Sequence, residues 1–259
     1  MYQNIIYESK NGIATITLNR PEVYNALNPV MIAEITQAMQ EAENDATIRV
    51  VILTGSGEKA FCSGADLKDA LSSPKSACEI LQEFYDPMIR SIRNIPKPVV
   101  AKLNGLAVGA GCSLALACDI IIAREDAYLS LLFVQIGLMP DAGATFSLPR
   151  RVGIAKAFEL SSTGRKVYAP EAEQIGLINK SVPAEELDRE IEQLSNYYRS
   201  APTLAIAAMK KVLNESYQSN LSQIQDFERE NQEMLFKTRD AQEGISAFLQ
   251  KRKPDFQGE

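Results

Sequence analysis

The sequence predicts an α/β protein with a parallel sheet, and three observations predict it. Short β-branched apolar runs such as "IATITL" (13–18) and "VVILTGSG" (50–57) are spaced along the chain. Stretches of helical length and periodicity alternate with them, which is the layout of parallel α/β folds. With 259 residues and 46% hydrophobic content, the chain can bury a large core, as one big domain or as one domain with an appendage.

In order, "IATITL" is a strand with alternating threonines, and "LNRPEVYNALN" (18–28) turns the chain. Residues 31–42 carry the spacing of an amphipathic helix, and "VVILTGSG" is a continuous apolar strand closed by turn residues. A second helical stretch covers 77–95 and is ended by "PKP", after which "VVAKLNG" (99–105) is another buried strand. A glycine-rich segment leads into the apolar helix "CSLALACD" (112–119), followed by the strand "DIIIARE" (119–125). From about residue 184 the character changes to long charged helices with apolar faces, "AEELDREIEQLSNYYRS" and "TLAIAAMKKVLNESY". The expected division is a core over 1–190 and a helical region over 191–259.

Composition narrows the chemistry. A formal charge of -6 and a pI near 5.0, with acids and bases intermixed, argue against a nucleic-acid partner. The longest uncharged run, 103–118, is short for a membrane span and rich in Gly, Ala and Ser, so no membrane association is expected. Four cysteines without metal-type or CxxC spacing, and an N-terminus lacking the layout of a secretory signal, point to a reduced, cytoplasmic protein. The chain has no histidine, which removes Ser-His-Asp triads, His-bound zinc and imidazole proton shuttles. Acid-base work must come from Asp, Glu, Lys, Tyr, Cys or water, and no metal site is expected.

Two segments share one design. "FCSGADLKD" (61–69) follows a strand and sets Ser63, Gly64 and Ala65 before a helix start at Asp66. Small residues let a ligand approach the backbone, and free N–H groups at a helix start attract negative charge. A tight turn with an Asp cap is the alternative reading. "NGLAVGAGCSLALACD" (104–119) repeats the plan with Gly105, Gly109, Ala110 and Gly111. Two such turns can aim two N–H groups at one carbonyl oxygen, although a glycine-rich helix packed tightly on a sheet has the same sequence. The glycines lack GxGxxG order and no P-loop Lys-Ser/Thr follows. A third segment, "IGLMPDAGAT" (136–145), places Asp141 after a proline among small residues, where it is either a turn aspartate or the acid of a pocket.

"FCSGADLKD", "KPVVAKLNGLAVGAGCSLALACDIIIA", "GLMPDAGAT" and "AEQIGLINKSVP", in this order and spacing, resemble the crotonase (enoyl-CoA hydratase/isomerase) superfamily, and the similarity runs from "ITLNRPEVYNALN" to "EGISAFLQKRKPDFQGE". The resemblance implies a spiral of ββα repeats with a C-terminal helical region, homotrimers often paired into homohexamers, and acyl-CoA thioester substrates. It implies an oxyanion hole from the backbone N–H groups of Ala65 and Ala110, with Gly109 in the second turn, and Ser63, Asp66 and Leu67 along the adenine and pantetheine path. Lys251 or Lys253 could meet a CoA phosphate or belong to a solvated tail. Coenzyme A enters as part of the substrate, and no other cofactor is implied.

Hydratases of this superfamily hold a water between two glutamates. Their positions correspond here to Ser113 and Phe133, so both acids are missing. Asp141 stands instead where typical hydratases have a small residue, and "LLFVQIGLMPDAGATFSLPR" is most similar to the 1,2-epoxyphenylacetyl-CoA isomerases of phenylacetate breakdown, which also act as Δ3,Δ2-enoyl-CoA isomerases. The expectation is therefore an acyl-CoA isomerase with Asp141 as single proton shuttle and Ser113 and Phe133 lining the substrate, one carboxylate sufficing to move a proton between two carbons. Leu131, Leu132, Phe133, Val134 and Met139 could desolvate that acid. Hydration, hydrolysis of a cyclic acyl-CoA, and silent acyl-CoA binding are the rival functions. Cys62 and Cys112 are expected as buried thiols, and Tyr24, Tyr85, Tyr197 and Tyr198 chiefly as packing residues.

Overall fold

The computed structural model describes residues 2–259. Strands β1 (Ile5–Lys10) and β2 (Ile13–Leu18) form an antiparallel hairpin, and α1 (Pro29–Asn44) crosses from it to β3 (Val50–Gly55). A pattern then recurs. β3 leads to β4 (Ala60–Cys62) and the helices α2 (Leu67–Ser72), α3 (Ala77–Ile80) and α4 (Asp86–Asn94). β5 (Val99–Leu103) leads to β6 (Leu106–Val108) and α5 (Ala110–Ala117), and β7 (Ile120–Arg124) to β8 (Tyr128–Ser130) and α6 (Ala144–Thr163). β9 (Val167–Tyr168), α7 (Ala169–Gln174) and β10 (Lys180–Val182) follow.

The first strand of each repeat enters a larger sheet of order β1-β2-β3-β5-β7-β10, and the second enters a smaller one of order β4-β6-β8-β9. From β2 to β10 the larger sheet is parallel, as are β4, β6 and β8. Each repeat therefore advances the chain by one strand spacing in both sheets, which is a spiral of ββα turns, as the sequence resemblance implies. The chain ends in α8 (Leu187–Arg199), α9 (Thr203–Glu215), α10 (Leu221–Leu235) and α11 (Arg239–Leu249).

β3 shows why the apolar runs carry no polar alternation. Val51 and Leu53 join the main core with Met31, Ile35 and Phe61, whereas Val50 and Ile52 face the opposite way, onto Leu187 and Ile191 of α8. Successive side chains point to opposite faces, so a strand covered on both sides must be apolar throughout. Burying Leu187 and Ile191 stabilises this cover by roughly 1.5–3 kcal/mol each. The expected boundary between 190 and 191 falls inside α8.

Helix α1 starts where Asn28 accepts the Met31 N–H at 2.8 Å with Pro29 in the first turn, two residues earlier than the periodicity suggests. The expected helix over 77–95 is divided: a π-helical turn, Leu81–Tyr85, separates α3 from α4. Among the described residues no helix is long and apolar enough to cross a membrane.

Candidate active site

Two buried amides hold the loop that delivers the first turn. Asn25 Nδ2 donates to the carbonyls of Ser56 (3.0 Å) and Ala60 (2.9 Å), while its Oδ1 accepts the Arg20 N–H at 3.0 Å. Asn104 Nδ2 donates to Gly57 O (2.7 Å) and Ala60 O (3.2 Å), and its Oδ1 accepts the Gly55 N–H at 3.2 Å. Irregular backbone between β3 and β4 thus has its carbonyls satisfied by side chains where no sheet partner is available. Sequence reasoning passed over both residues; the available signal was a lone amide among apolar neighbours in "VYNAL" and "KLNGL".

In the first turn the Ser63 N–H donates to Tyr24 O (3.0 Å), the Leu27 N–H to Gly64 O (2.8 Å) and the Asp66 N–H to Leu27 O (2.9 Å). The Ala65 N–H between them donates to no group among the described residues. Gly64 has φ +99°, and a Cβ there would lie 2.9 Å from Val108 O and 3.3 Å from Ala110 N, so the two turns pack backbone against backbone. Only glycine tolerates both that conformation and that approach.

The second turn ends at Gly109, the N-cap of α5, with φ 54° and ψ -128°. Ala110 is the first helical residue, so its N–H has no partner inside the helix. A Cβ on Gly111 would sit 2.3 Å from Cys62 O, which ties the start of α5 onto β4. All eight residues of α5 are buried, so the positive helix start faces a low-dielectric surrounding. Two adjoining turns with free N–H groups in apolar surroundings can stabilise charge developing on a carbonyl oxygen.

Asp141 enters through a turn whose next two residues, Ala142 (φ 48°) and Gly143 (φ 76°), are left-handed, and α6 begins directly after them. A non-glycine residue in that region costs energy, so surrounding packing must hold it. One carboxylate oxygen meets the residue's own N–H, whereas Oδ1 is buried with no hydrogen-bond partner. Burial pushes the Asp141 carboxyl up to about 6, against the smaller lowering by its own amide. Leu131 and Phe133 are buried in the same core cluster as Ala142, next to Asp141, while Val134 and Met139 are exposed and Leu132 is half-buried.

The other expected positions vary. Ser113 is buried and its hydroxyl donates to Gly109 O at 3.4 Å, one turn back in α5. Phe133 is buried in a 3-10 turn, Leu132–Ile136. Asp66 is the N-cap residue of α2, but its carboxylate makes no bond to that helix; it pairs with Arg20 at 3.0 Å, because the guanidinium, itself anchored on Ala26 O, is the stronger donor. Leu67 is exposed, and the Ser63 hydroxyl donates to Val23 O at 3.3 Å. A cavity of about 330 Å³ adjoins this turn, lined by Tyr24, Lys59 and Ala60 among others. Cys62 and Cys112 are buried and their thiols are pushed up to about 12 by burial, so neither is a ready nucleophile. Lys251 and Lys253 lie exposed after α11, and Tyr197 and Tyr198 form an edge-on pair with centroids 5.3 Å apart. Tyr24 is 45% exposed, so it does not pack as expected, whereas Tyr85 is 5% exposed.

Comparison with known proteins adds the following. The profile of the family described as "Enoyl-CoA hydratase/isomerase" matches residues 8–259. A probable enoyl-CoA hydratase of Rhodobacter capsulatus is 42% identical over 99% of each chain. The 1,2-epoxyphenylacetyl-CoA isomerase of Escherichia coli is 37% identical over 100% of each chain. The crystal structure of an enoyl-CoA hydratase from Bacillus anthracis superposes with a TM-score of 0.94 at 34% identity, covering 99% of this chain and 100% of that one.

Proposed function

This chain belongs to the enoyl-CoA hydratase/isomerase family, and from that premise we propose that it is an acyl-CoA isomerase in which Asp141 shuttles one proton. The observation that carries this reading is a single partly buried carboxylate with an unpartnered Oδ1, combined with a hydroxymethyl and a phenyl group where hydratases carry glutamates. Its similarity to the Escherichia coli isomerase supports it further.

In this reading the thioester oxygen sits between the N–H groups of Ala65 and Ala110. Asp141 removes a proton from the α-carbon of a 3-enoyl thioester, the electron pair moves into the thioester as a dienolate, and the same carboxyl returns the proton to the γ-carbon. Atoms and charge balance without water or a second acid. Each donor lowers the barrier by about 3 kcal/mol if it behaves as measured oxyanion-hole donors do. An acid near pH 6 suits both halves of the proton transfer, since at neutral pH it is mostly a base, yet its conjugate acid readily gives the proton back. Opening of a ring epoxide next to the thioester could use the same stabilised enolate. Ser63, Asp66, Leu67 and Gly109 border the path of the thioester arm, and Ser113 and Phe133 its acyl end. Coenzyme A belongs to the substrate, and the mechanism calls on no metal or redox group.

Exposed Ile154, Phe158, Leu213, Tyr217, Phe248 and Leu249 fit a chain that assembles as a homotrimer or homohexamer, the oligomeric part of the same reading. Hydration is the second reading, favoured by the name of the Rhodobacter capsulatus relative.

The deciding experiment supplies 3-hexenoyl-CoA and crotonyl-CoA separately and follows product mass and rate from pH 5 to 9. Isomerisation yields a product of unchanged mass from the first, with a rate that falls on the acid side near pH 6 as Asp141 is protonated. Rapid gain of one water by crotonyl-CoA would establish the hydratase instead, and no product from either would leave an acyl-CoA binder.

A further inference from the structure

Where α4 ends, a cavity of about 490 Å³ opens between it, α9 and α10, and none of its lining residues belongs to the site described above. Its wall has two parts. Ile95, Ala208 and Met234 supply apolar surface, and Arg93, Lys211 and Asn214 supply polar groups. A concave apolar lining with a few convergent polar groups is the common form of a small-molecule site.

Arg93 is the least compensated of these groups. It is half-buried, its Nη2 donates to Asn214 Oδ1, and Asn214 Nδ2 donates back to Arg93 O at 3.2 Å, so a neutral amide fixes the guanidinium at the wall. The Phe146 ring centroid lies 5.6 Å from Arg93 Cζ, and Arg150 stacks on the same ring at 3.5 Å, bringing a second positive charge. The ion pairs of α4 and α9 are Arg90–Asp86 and Lys210–Asp119; among the described residues neither Arg93 nor Arg150 takes part in one. Burial disfavours the charged form of Arg93 first of all, Asp119 opposes that, and Arg150 reinforces it. Asp119 is already engaged, since its Oδ2 accepts from Lys210 at 2.7 Å and from the Val99 N–H at 2.8 Å. With Lys210 spent on Asp119, the cavity wall keeps two cations, Arg93 and Lys211, against one exposed acid, Glu215, and none of the three is in an ion pair. A desolvated cation without a counter-ion is costly, and an anion in the cavity would relieve that cost.

We propose that this cavity binds a small organic anion, a carboxylate or phosphate monoester on a short apolar chain, with its head on Arg93 and Lys211 and its chain along Ile95, Ala208 and Met234. The guanidinium keeps donors beyond the one given to Asn214, and its planar fork suits either head. The site is separate from the acyl-CoA reading and rests on no part of it.

Calorimetry with hexanoate, hexyl phosphate, acetate and inorganic phosphate as probes tests this. Hexanoate and hexyl phosphate should bind with Kd of about 1 mM or tighter, each about tenfold tighter than its chainless counterpart, because the methylenes reach the apolar wall. Lys211→Gln, at an exposed position outside the core, should weaken both by about threefold, and Arg93→Gln by about tenfold or more. Binding that neither substitution alters lies elsewhere and overturns the proposal, as does the absence of binding by all four probes up to about 20 mM. Should Arg93→Gln fail to fold, Lys211→Glu decides: charge reversal should weaken hexanoate by about tenfold, and an unchanged affinity refutes the site. Dissociation of an assembly by Lys211→Glu in the ultracentrifuge, with no probe bound by the unaltered chain, would identify the occupant as a carboxylate of a second copy and would also overturn it.

Discussion

Asp240 and Asp141 both lie near the start of a helix and both are withdrawn from water, yet their surroundings differ in one respect. Asp240, 4% exposed at the beginning of α11, accepts the N–H groups of Gln257 (2.7 Å) and Gly258 (2.8 Å), one on each oxygen. It clasps the end of the chain. Asp141 has an oxygen left empty, and its carboxyl is raised to about 6 by burial. A buried carboxylate whose lone pairs are filled is part of the structure. One with an open lone pair keeps its basicity for something else, at a cost in stability.

The sharpest way to break this contrast is to neutralise the open carboxylate. Asp141→Asn should reduce isomerisation by roughly 10³- to 10⁴-fold, in line with loss of a positioned acid-base group. Acyl-CoA affinity, followed by calorimetry, should change little, and comparable turnover in the variant would end the assignment. A second substitution separates the carboxylate from the two glycine-rich turns. Gly111→Ala puts a methyl 2.3 Å from Cys62 O and must spread the two turns. A loss of kcat near ~10²-fold is expected, as for a displaced oxyanion donor, with the Asp141 midpoint unmoved by NMR.

Asp240→Ala tests the other side of the comparison. It leaves two N–H groups unpaired, so denaturant unfolding should show a loss of about 2–4 kcal/mol while kcat in the folded enzyme is retained. The smallest effect concerns stability at Asp141 itself. Its folded value lies above the ordinary 3.8, so between 3.8 and about 6 the native state binds more protons than the unfolded one. Stability therefore falls as pH rises through that window and is flat above it. Asp141→Asn removes this loss: the variant should be more stable by about 1–2 kcal/mol at pH 8, after discounting for solvent reaching the site, and unchanged near pH 3.5. A variant less stable at pH 8 would mean that the carboxylate is filled after all.

Much of this was legible in the sequence, for reasons that differ by residue. The strands could be located because β3 and β5 are covered on both faces and must be apolar. The two turns were visible because Gly64 and Gly111 stand where a Cβ would meet backbone. Three features were not legible. The π turn at Leu81–Tyr85 leaves no mark in hydrophobic periodicity, since one residue in five is within the scatter of a helical pattern. The pairing of Asp66 with Arg20 is 46 residues distant, and local pattern favoured a cap. The state of Asp141 depends on which neighbours fail to reach Oδ1, and failure to touch has no sequence signature.

The chain has no imidazole, and it has moved a carboxyl into the interval where imidazoles usually titrate. Proton counting thereby becomes a local probe. Thioester binding measured calorimetrically in buffers of contrasting ionisation heat would report on the Asp141 carboxyl against a background that histidines do not obscure.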